Sequence, residues 1–281
     1  MNINKVSFSV LMSVYKNDNS EFLNEAIESI VKQTIVPSEI VIVKDGPLNL
    51  DLDNVLSKWV VKLPNIIKLI SLDNNLGLGE ALKIGMENCT YDIIARMDSD
   101  DISEKNRFED QLSILINKDI DIVGSYVDEF SDSVNNILSL KKVPIEQYEI
   151  YKCGRYRCPM NHPTVMFRKK SVNDAGGYRS WHYNEDYDLW IRMINNKAKF
   201  YNIPKALVHM RVSDGTYERR GGLNYFKSEF KLQKLFLKEK YISLPIFIFN
   251  VLVRMGVQIL IPNRLRMLLY KFVFRKSGLD M

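Results

Sequence analysis

Cysteine is scarce in this chain, with three in 281 residues: Cys89, Cys153 and Cys158. An odd number cannot pair completely, and three are too few for the disulfide framework of a small secreted domain. Cys153, Cys158 and His162 are close enough in sequence for a zinc site to be conceivable. Structural zinc, however, takes four ligands and a shorter cysteine spacing, so we interpret the cysteines as free thiols in a reducing cytosol.

Long apolar runs are also missing. The first fifteen residues have no extended apolar core of the signal-peptide kind, so we expect a cytoplasmic first strand there. Residues 241–253 are uncharged, but thirteen residues interrupted by Pro245 are too few to span a bilayer.

Two glycine-rich nucleotide motifs are absent as well. The first predicted strand–helix turn, SVYKNDNSEF, contains no glycine, and Leu82 stands where the third glycine of a dinucleotide fingerprint beginning at Gly77 should be. No G-x-x-x-x-G-K-[ST] sequence occurs. Neither an NAD-binding fold nor a P-loop enzyme is therefore favoured.

What the first hundred residues do contain is an alternation of strand and helix signals. Short β-branched runs predict strands over 6–14, 38–46, 66–73 and 91–101, and helical periodicity covers 21–33, with Ser20 as its cap, and 78–89. This alternation predicts an α/β fold with a Rossmann-like, mostly parallel sheet. In such sheets ligands bind beyond the carboxyl ends of the strands.

Three aspartates follow the fourth predicted strand in ARMDSDDIS. If the segment stays extended, Asp98 and Asp100 converge and Asp101 faces away. Two converging carboxylates suit Mg²⁺ or Mn²⁺. The alternative is that Asp101 or Ser103 caps a helix over 104–115, which would leave the other two aspartates unexplained.

A second acidic pair, Glu185 and Asp186, opens the segment EDYDLWIRMI, whose apolar residues recur at helical spacing. The pair therefore falls in the first turn of a helix, where the helix dipole alone would favour acidic residues.

The ordered motifs SVLMSVY, PSEIVIVKDG, NNLGLGEALKIG, ARMDSDD, GGYR and NEDYDLWIRM resemble family 2 inverting glycosyltransferases with the GT-A fold. More narrowly, they resemble the bacterial enzymes of O-antigen and capsule assembly. The resemblance covers roughly residues 6 to 220. It implies a metal-dependent enzyme that uses a UDP-sugar.

The resemblance also implies roles for the residues at the sheet edge. Asp45 would contact the uracil, with Val14 and Tyr15 flanking the base. Asp98 would reach the ribose or the metal, and Asp100 would bind the metal that bridges the diphosphate. For Asp45 the residues alone leave a second interpretation open, that of a turn residue before Gly46.

For the transfer step, the resemblance puts the general base on Asp186, with Glu185 as the second choice or as a holder of an acceptor hydroxyl. Many relatives place a histidine metal ligand where this chain has Ser213, and His209 need not reach the metal, which leaves the third ligand open.

Other side chains are candidates for contacts to the diphosphate or the acceptor. Arg96, Arg211, Arg219 and Arg220 could donate to the diphosphate, and Arg96 could equally be an ordinary strand residue. His162 could contact the acceptor or simply cap the next strand.

Charge is unevenly distributed. Residues 219–281 hold 13 Lys+Arg against 3 Asp+Glu, a net of +10, so the whole-chain charge of +5 leaves −5 for residues 1–218. Lysines at 227, 231, 234 and 238 form a stripe beside apolar residues, which is typical of an interfacial helix on an anionic membrane. A helical cap packed on the sheet is the alternative, and nucleic-acid binding is disfavoured because no recognisable module is present.

These observations predict a GT-A domain over 1–218 and a basic, membrane-associating region over 219–281. Within the domain we expect a nucleotide-binding half (1–103) and an acceptor half (104–218). The expected activity is transfer of glucose or galactose, in β linkage, to an undecaprenyl-diphosphate-linked GlcNAc or GalNAc at the cytoplasmic face of the inner membrane. The alternatives are a sugar-nucleotide nucleotidyltransferase and a non-catalytic glycan- or lipid-binding relative.

Overall fold

A computed structural model of the chain describes residues 3–213, 221–261 and 276–277. The strands are β1 (Ser9–Val14), β2 (Glu39–Lys44), β3 (Ile67–Ser71), β4 (Ile93–Met97), β5 (Ile102–Ser103), β6 (Ile122–Phe130), β7 (Ile137–Lys141), β8 (Met166–Arg168), β9 (Phe200–Arg211) and β10 (Lys276–Ser277). The α-helices are α1 (Ser20–Val31), α2 (Leu50–Lys62), α3 (Leu78–Asn88), α4 (Arg107–Asn117), α5 (Gln147–Gly154), α6 (Lys169–Asp174), α7 (Glu185–Asn195), α8 (Leu223–Lys238) and α9 (Leu244–Met255). Short 3₁₀ turns cover Ile3–Lys5 and His162–Thr164, and a π turn covers Gly256–Leu260.

The central strands form a parallel sheet in the order β3-β2-β1-β4. Val14 pairs with Lys44, and Met12 pairs with Met97, so β1, β2 and β4 end at nearly the same level. Helices α1, α2 and α3 each connect one of these strands to the next. The predicted α/β fold is confirmed, and it gathers the three strand ends at one edge.

Beyond β4 the sheet becomes mixed. Strand β8 runs antiparallel to β4, and β6 runs antiparallel to β8. The long strand β9 pairs in parallel with β6 and in antiparallel with the short β5, which directly follows the acidic segment. Strand β9 therefore connects the second half of the sheet to the loop after β4.

Each face of the sheet carries its own apolar core. Buried residues of α1, α2 and α4 cover one face, and those of α3, α5, α7 and α8 cover the other. Their two-sided burial explains why the central strands are continuous apolar runs rather than alternating ones.

Helix starts differ from the sequence expectations in two places. Asn19, rather than Ser20, caps α1, because its side-chain oxygen accepts from the N–H groups of Glu21 and Phe22. Helix α4 begins only at Arg107, so neither Asp101 nor Ser103 caps it. Pairing of β5 with β9 keeps residues 102–103 extended, which prevents an earlier start. Helix α2 was not predicted individually.

Helix α7 does begin at Glu185, as the periodicity predicts. The described part of the chain has no helix with both the length and the apolar character needed to cross a bilayer.

Gly85 is where α3 packs most tightly on the sheet. A Cβ atom there would lie 2.4 Å from Leu11 Cδ1 and 2.7 Å from Val43 Cγ2. We expect Gly85→Ala to lower the free energy of unfolding by about 1–3 kcal/mol, because overpacking outweighs the better helix propensity of alanine. Urea denaturation would measure the change.

Gly256→Ala is the matched control, because Gly256 has helical backbone angles and no atom near the added methyl group. It should be neutral or slightly stabilising. Equal effects of the two substitutions would contradict the packing explanation.

Candidate active site

Hydrogen bonds to Asp18 connect the turn after β1 with the acidic loop after β4. Asp18 Oδ2 accepts one hydrogen bond from the Tyr15 N–H (3.1 Å) and another from Ser99 Oγ (2.8 Å). Val14, the last residue of β1, accepts from the Asp45 N–H at 2.8 Å. The residues expected to flank a nucleotide base thus lie beside both aspartate-bearing loops.

Asp45 is 4% exposed and organises the loop after β3. Its two carboxylate oxygens accept from the N–H groups of Leu76 (2.7 Å) and Gly77 (3.0 Å). Gly46 has φ +86°, and a Cβ there would lie 2.7 Å from Asn75 N. The Asp-Gly pair is therefore built into the wall of the site, and each carboxylate oxygen already has a main-chain partner.

The three aspartates after β4 form one cluster. Each offers a carboxylate oxygen, and these oxygens lie within 4.8 Å of one another. The expectation that Asp101 faces away is wrong, because β4 ends at Met97 and the segment bends instead of continuing extended. Asp101 Oδ1 accepts from the Arg211 N–H (3.0 Å), whereas its buried Oδ2 has no hydrogen-bond partner.

Burial and mutual repulsion raise the pKa values of two of these carboxyl groups. The pKa of Asp100 is raised to about 6 by burial and by the charges of Asp98 and Asp18. The pKa of Asp101 is raised well above its usual value by burial and by the other two aspartates. Clustered carboxylates with an unsatisfied buried oxygen are the donor set that a hard divalent cation prefers, so the residues fit Mg²⁺ or Mn²⁺.

Arg96 lies beneath this cluster and not at its open face. Its side chain is 2% exposed, and one guanidinium nitrogen pairs with Asp98. Nε and Nη1 are buried without hydrogen-bond partners. Arg96 lowers the pKa values of Asp100, Glu185 and Asp186 through its charge. We therefore regard it as a positioning residue for the carboxylates.

Arg211 is also used within the structure. Its Nε donates to the Asp100 carbonyl (3.1 Å) and its Nη2 to Glu25 (2.5 Å). The guanidinium carbon lies 3.8 Å from the ring centroid of Phe22 and 4.5 Å from that of Phe130. This geometry supports a role in clamping the acidic loop more than the expected contact with a diphosphate. Arg219 and Arg220, the other candidates, lie outside the described residues.

The second acidic pair stands at the start of α7. Asp186 Oδ1 accepts from the Tyr187 N–H (2.7 Å), and Oδ2 accepts from the Cys158 thiol (3.5 Å). Helix α3 begins against the same turn, because a Cβ on Gly79 would lie 3.2 Å from the Cβ of Glu185. Glycine at 79 permits this close approach.

Burial raises the pKa of both acids. The pKa of Glu185 is raised to about 8 by burial and by the charges of Asp186 and Asp98. That of Asp186 is raised by burial and opposed by its bonds to Tyr187 and Cys158. At neutral pH Glu185 therefore keeps its proton, and the charge of Arg96 acts on both acids of α7.

His162 lies behind the site. Its Nε2 is 3.1 Å from the Tyr178 hydroxyl, and its ring meets Trp190 edge-on. Burial and the charge of Arg96 lower the pKa of His162 well below its usual value, so the ring is neutral. All three cysteines are free thiols, as expected.

His209 is not available as the third metal ligand. Its two ring nitrogens lie 2.7 Å from Asp128 and 3.0 Å from Glu104, which raise its pKa although burial opposes them. Asp101, which was expected to face away in an extended segment, is the better candidate for the third metal ligand.

Sequence reasoning missed three residues that shape the site: Asp18, Cys158 and Tyr178. Asp18 lies in the NDNS turn, whose composition signals a turn but no partner. Cys158 and Tyr178 act through partners far away in sequence, so no local pattern reveals them.

The comparisons with known proteins agree with this geometry. The model of glycosyl transferase family 2 matches residues 9–177. UDP-Gal:alpha-D-GlcNAc-diphosphoundecaprenol beta-1,3-galactosyltransferase of Escherichia coli is 41% identical over 270 residues, covering 96% of this chain and 97% of that protein. The amylovoran biosynthesis glycosyltransferase AmsE of Erwinia amylovora is 39% identical, covering 83% and 86%.

Solved structures share the fold at low identity. S. aureus TarS 1-349 in complex with UDP-GlcNAc has a TM-score of 0.66 at 16% identity, over 89% of this chain and 73% of that one. The mannosyltransferase PcManGT of Pyrobaculum calidifontis, in complex with GDP-Man and Mn2+, has a TM-score of 0.61 at 14% identity, over 94% and 73%. Both are GT-A transferases.

The raised pKa of Glu185 predicts a pH-dependent stability. The folded state holds this proton up to about pH 8, whereas the unfolded group releases it near 4.5, so stability is complete below the lower value and falls as pH rises between the two. One such group contributes about 1.4 kcal/mol per pH unit. In EDTA, Glu185→Gln should therefore gain stability relative to wild type as pH rises from about 5 to 8.

Urea denaturation at several pH values would measure this difference. Glu87→Gln, an exposed change on α3, is the control and should leave the pH dependence unaltered. A difference between Glu185→Gln and wild type that stays constant with pH would show that Glu185 ionises normally.

Proposed function

The chain belongs to glycosyl transferase family 2, and on that basis we propose that it transfers a hexose from a UDP-sugar, with inversion and in β linkage, to a lipid-diphosphate-linked N-acetylhexosamine. Galactose is the first donor sugar to test and GlcNAc the first acceptor, because a relative at 41% identity carries both in its name. The product would enter a surface polysaccharide such as O-antigen.

The donor nucleotide is assigned to the carboxyl edge of β1, β2 and β4, in the half formed by residues 1–103. Val14 and Tyr15 flank this edge, and Asp45 holds the 74–77 loop beside it. With its oxygens engaged by main-chain N–H groups, Asp45 would shape the uracil pocket as well as contact the base.

Asp98 and Asp100, with Asp101 as a third candidate, would hold Mn²⁺ or Mg²⁺. When bound, the cation would supply positive charge to the departing diphosphate. The buried Arg96 would hold Asp98 in a fixed orientation, because a guanidinium remains charged in the interior and pairs with that carboxylate.

Asp186 would remove the proton of the acceptor hydroxyl as that oxygen attacks the anomeric carbon. The observation that supports this assignment is that the two acids lie side by side in the first turn of α7, where burial raises the pKa of both and both feel the charge of Arg96. Glu185 keeps a proton at neutral pH and can donate a hydrogen bond to the acceptor, and we assign the role of base to Asp186.

The acceptor is assigned to the half formed by residues 104–218, and residues 219–281 to membrane association. A lipid-linked acceptor requires the enzyme to work at a membrane surface. We therefore propose a peripheral location on the cytoplasmic face of the inner membrane.

Asp100→Ala should abolish metal-dependent nucleotide binding. In calorimetric titrations with UDP and Mn²⁺ we expect the affinity to fall by about 100-fold or more, because a direct ligand is lost. Asp92→Ala is the control, since Asp92 is exposed just before the opposite end of β4. Unchanged Mn²⁺-dependent binding in Asp100→Ala would contradict the metal assignment.

Asp186→Asn should keep UDP binding and lose turnover by about 10²–10⁴-fold, because removal of a general base slows only the chemical step. Wild type and variant would be assayed with UDP-galactose and a synthetic GlcNAc-diphosphate lipid, and UDP-glucose would be the second donor. Near-normal turnover of Asp186→Asn would exclude it as the base. A wild type without transfer from any UDP-hexose would refute the proposed donor class.

A further inference from the structure

Helix α9 has an unusual distribution of polarity, with polar side chains facing the protein. Asn250 is buried, and its amide donates to the Arg155 carbonyl and to Gln233, both at 2.8 Å. Arg254 pairs with Glu229 at 2.5 Å. Gln258, in the following π turn, is also buried. These contacts fix α9 firmly to the catalytic domain.

The outward face of the same segment is apolar. Of the eighteen large apolar side chains exposed in the described part of the chain, eight lie within residues 244–260. We call these eight the apolar row, and they include Leu244 (57% exposed), Phe249 (56%) and Leu260 (71%). The apolar row comprises Leu244, Ile248, Phe249, Leu252, Val253, Met255, Ile259 and Leu260.

Spacing shows that the row is a continuous stripe. Residues 244, 248, 252, 255 and 259 are separated by 4, 4, 3 and 4 positions, which places them along one side of a helix. Single exposed apolar residues are normal on protein surfaces, but a contiguous stripe marks a binding surface. Arg254 is the one charged residue of the segment 244–260, and its guanidinium points inward to Glu229.

A row of lysines lies on the neighbouring helix α8. Lys227, Lys231, Lys234 and Lys238 are exposed on α8, at spacings of 4, 3 and 4. Helix α8 is packed on α9 through the Gln233–Asn250 and Glu229–Arg254 pairs and through the rings of Phe230 and Phe247, whose centroids are 6.0 Å apart. The two rows therefore belong to one rigid helical pair.

We propose that the apolar row of α9 docks on an anionic lipid bilayer, with the α8 lysines contacting the headgroups. The row suits the acyl boundary and the lysines suit the anionic headgroups. A second copy of the chain is a poorer partner, because it would bring another set of lysines to the same area. The inference rests on the proposed membrane association of residues 219–281 and deepens it by naming the docking surface, which gives the lipid-linked acceptor of that function a route of approach.

The test uses the full-length protein and sedimentation with vesicles of phosphatidylcholine, with or without 30% phosphatidylglycerol. We expect wild type to bind the anionic vesicles, and the triple variant Ile248→Asn/Leu252→Asn/Ile259→Asn to bind at least about tenfold more weakly. Lys227→Gln/Lys231→Gln should lose several-fold on anionic vesicles only. Leu50→Asn/Val61→Asn, at two exposed positions on α2, is the matched control and should bind as wild type does.

Two further measurements separate the possible outcomes. Calorimetry with UDP and Mn²⁺ on the triple variant should match wild type, so failure of the donor assignment and failure of the docking surface are distinguished.

The vesicle measurements decide the proposal itself. It is overturned if wild type does not bind anionic vesicles, or if the triple variant binds them normally. A wild-type dimer that the triple variant converts to monomer, without altered vesicle binding, assigns the row to a second copy. If the triple variant loses thermal stability but keeps vesicle binding, the apolar row is instead a packing surface for another part of the same chain.

Discussion

A single buried guanidinium holds the acidic site together. Arg96 ends up under the sheet edge because it is the penultimate residue of β4, and from there it pairs with Asp98 and acts on four further carboxyl groups. Removing such a partner leaves an uncompensated buried charge, which costs far more than the pair itself contributes. The site can concentrate negative charge only because this cation is fixed beneath it.

Much of the fold follows from local sequence. The apolar runs and helical periodicity of the first hundred residues predict a parallel α/β sheet, and the carboxyl-edge rule then places Asp45 and Asp98 near each other. The apolar periodicity of the segment after Glu185 likewise predicts the start of α7. These features depend on spacing along a single element, which a sequence records directly.

Contacts between residues far apart in sequence cannot be predicted in this way. Asp101 turns toward its neighbours because Arg211, more than a hundred residues later, donates to it through the main chain. Cys158 contacts Asp186 across 28 positions, and Asp18 contacts Ser99 across 81. Arg211, which was expected to contact a ligand, is engaged by such pairings with Glu25 and the Asp100 carbonyl.

Strand β9 has a consequence for how enzymes of this kind can be recombined. It pairs with β5 immediately after the aspartate cluster, and Arg211 at its end holds Asp100 and Asp101. A chimera joined between residues 103 and 104 would take the aspartates from one parent and their clamp from the other. Residues 1–103 and 104–218 are therefore not exchangeable modules, and a crossover between relatives preserves the clamp only when it falls outside the segment from Asp98 to Arg211.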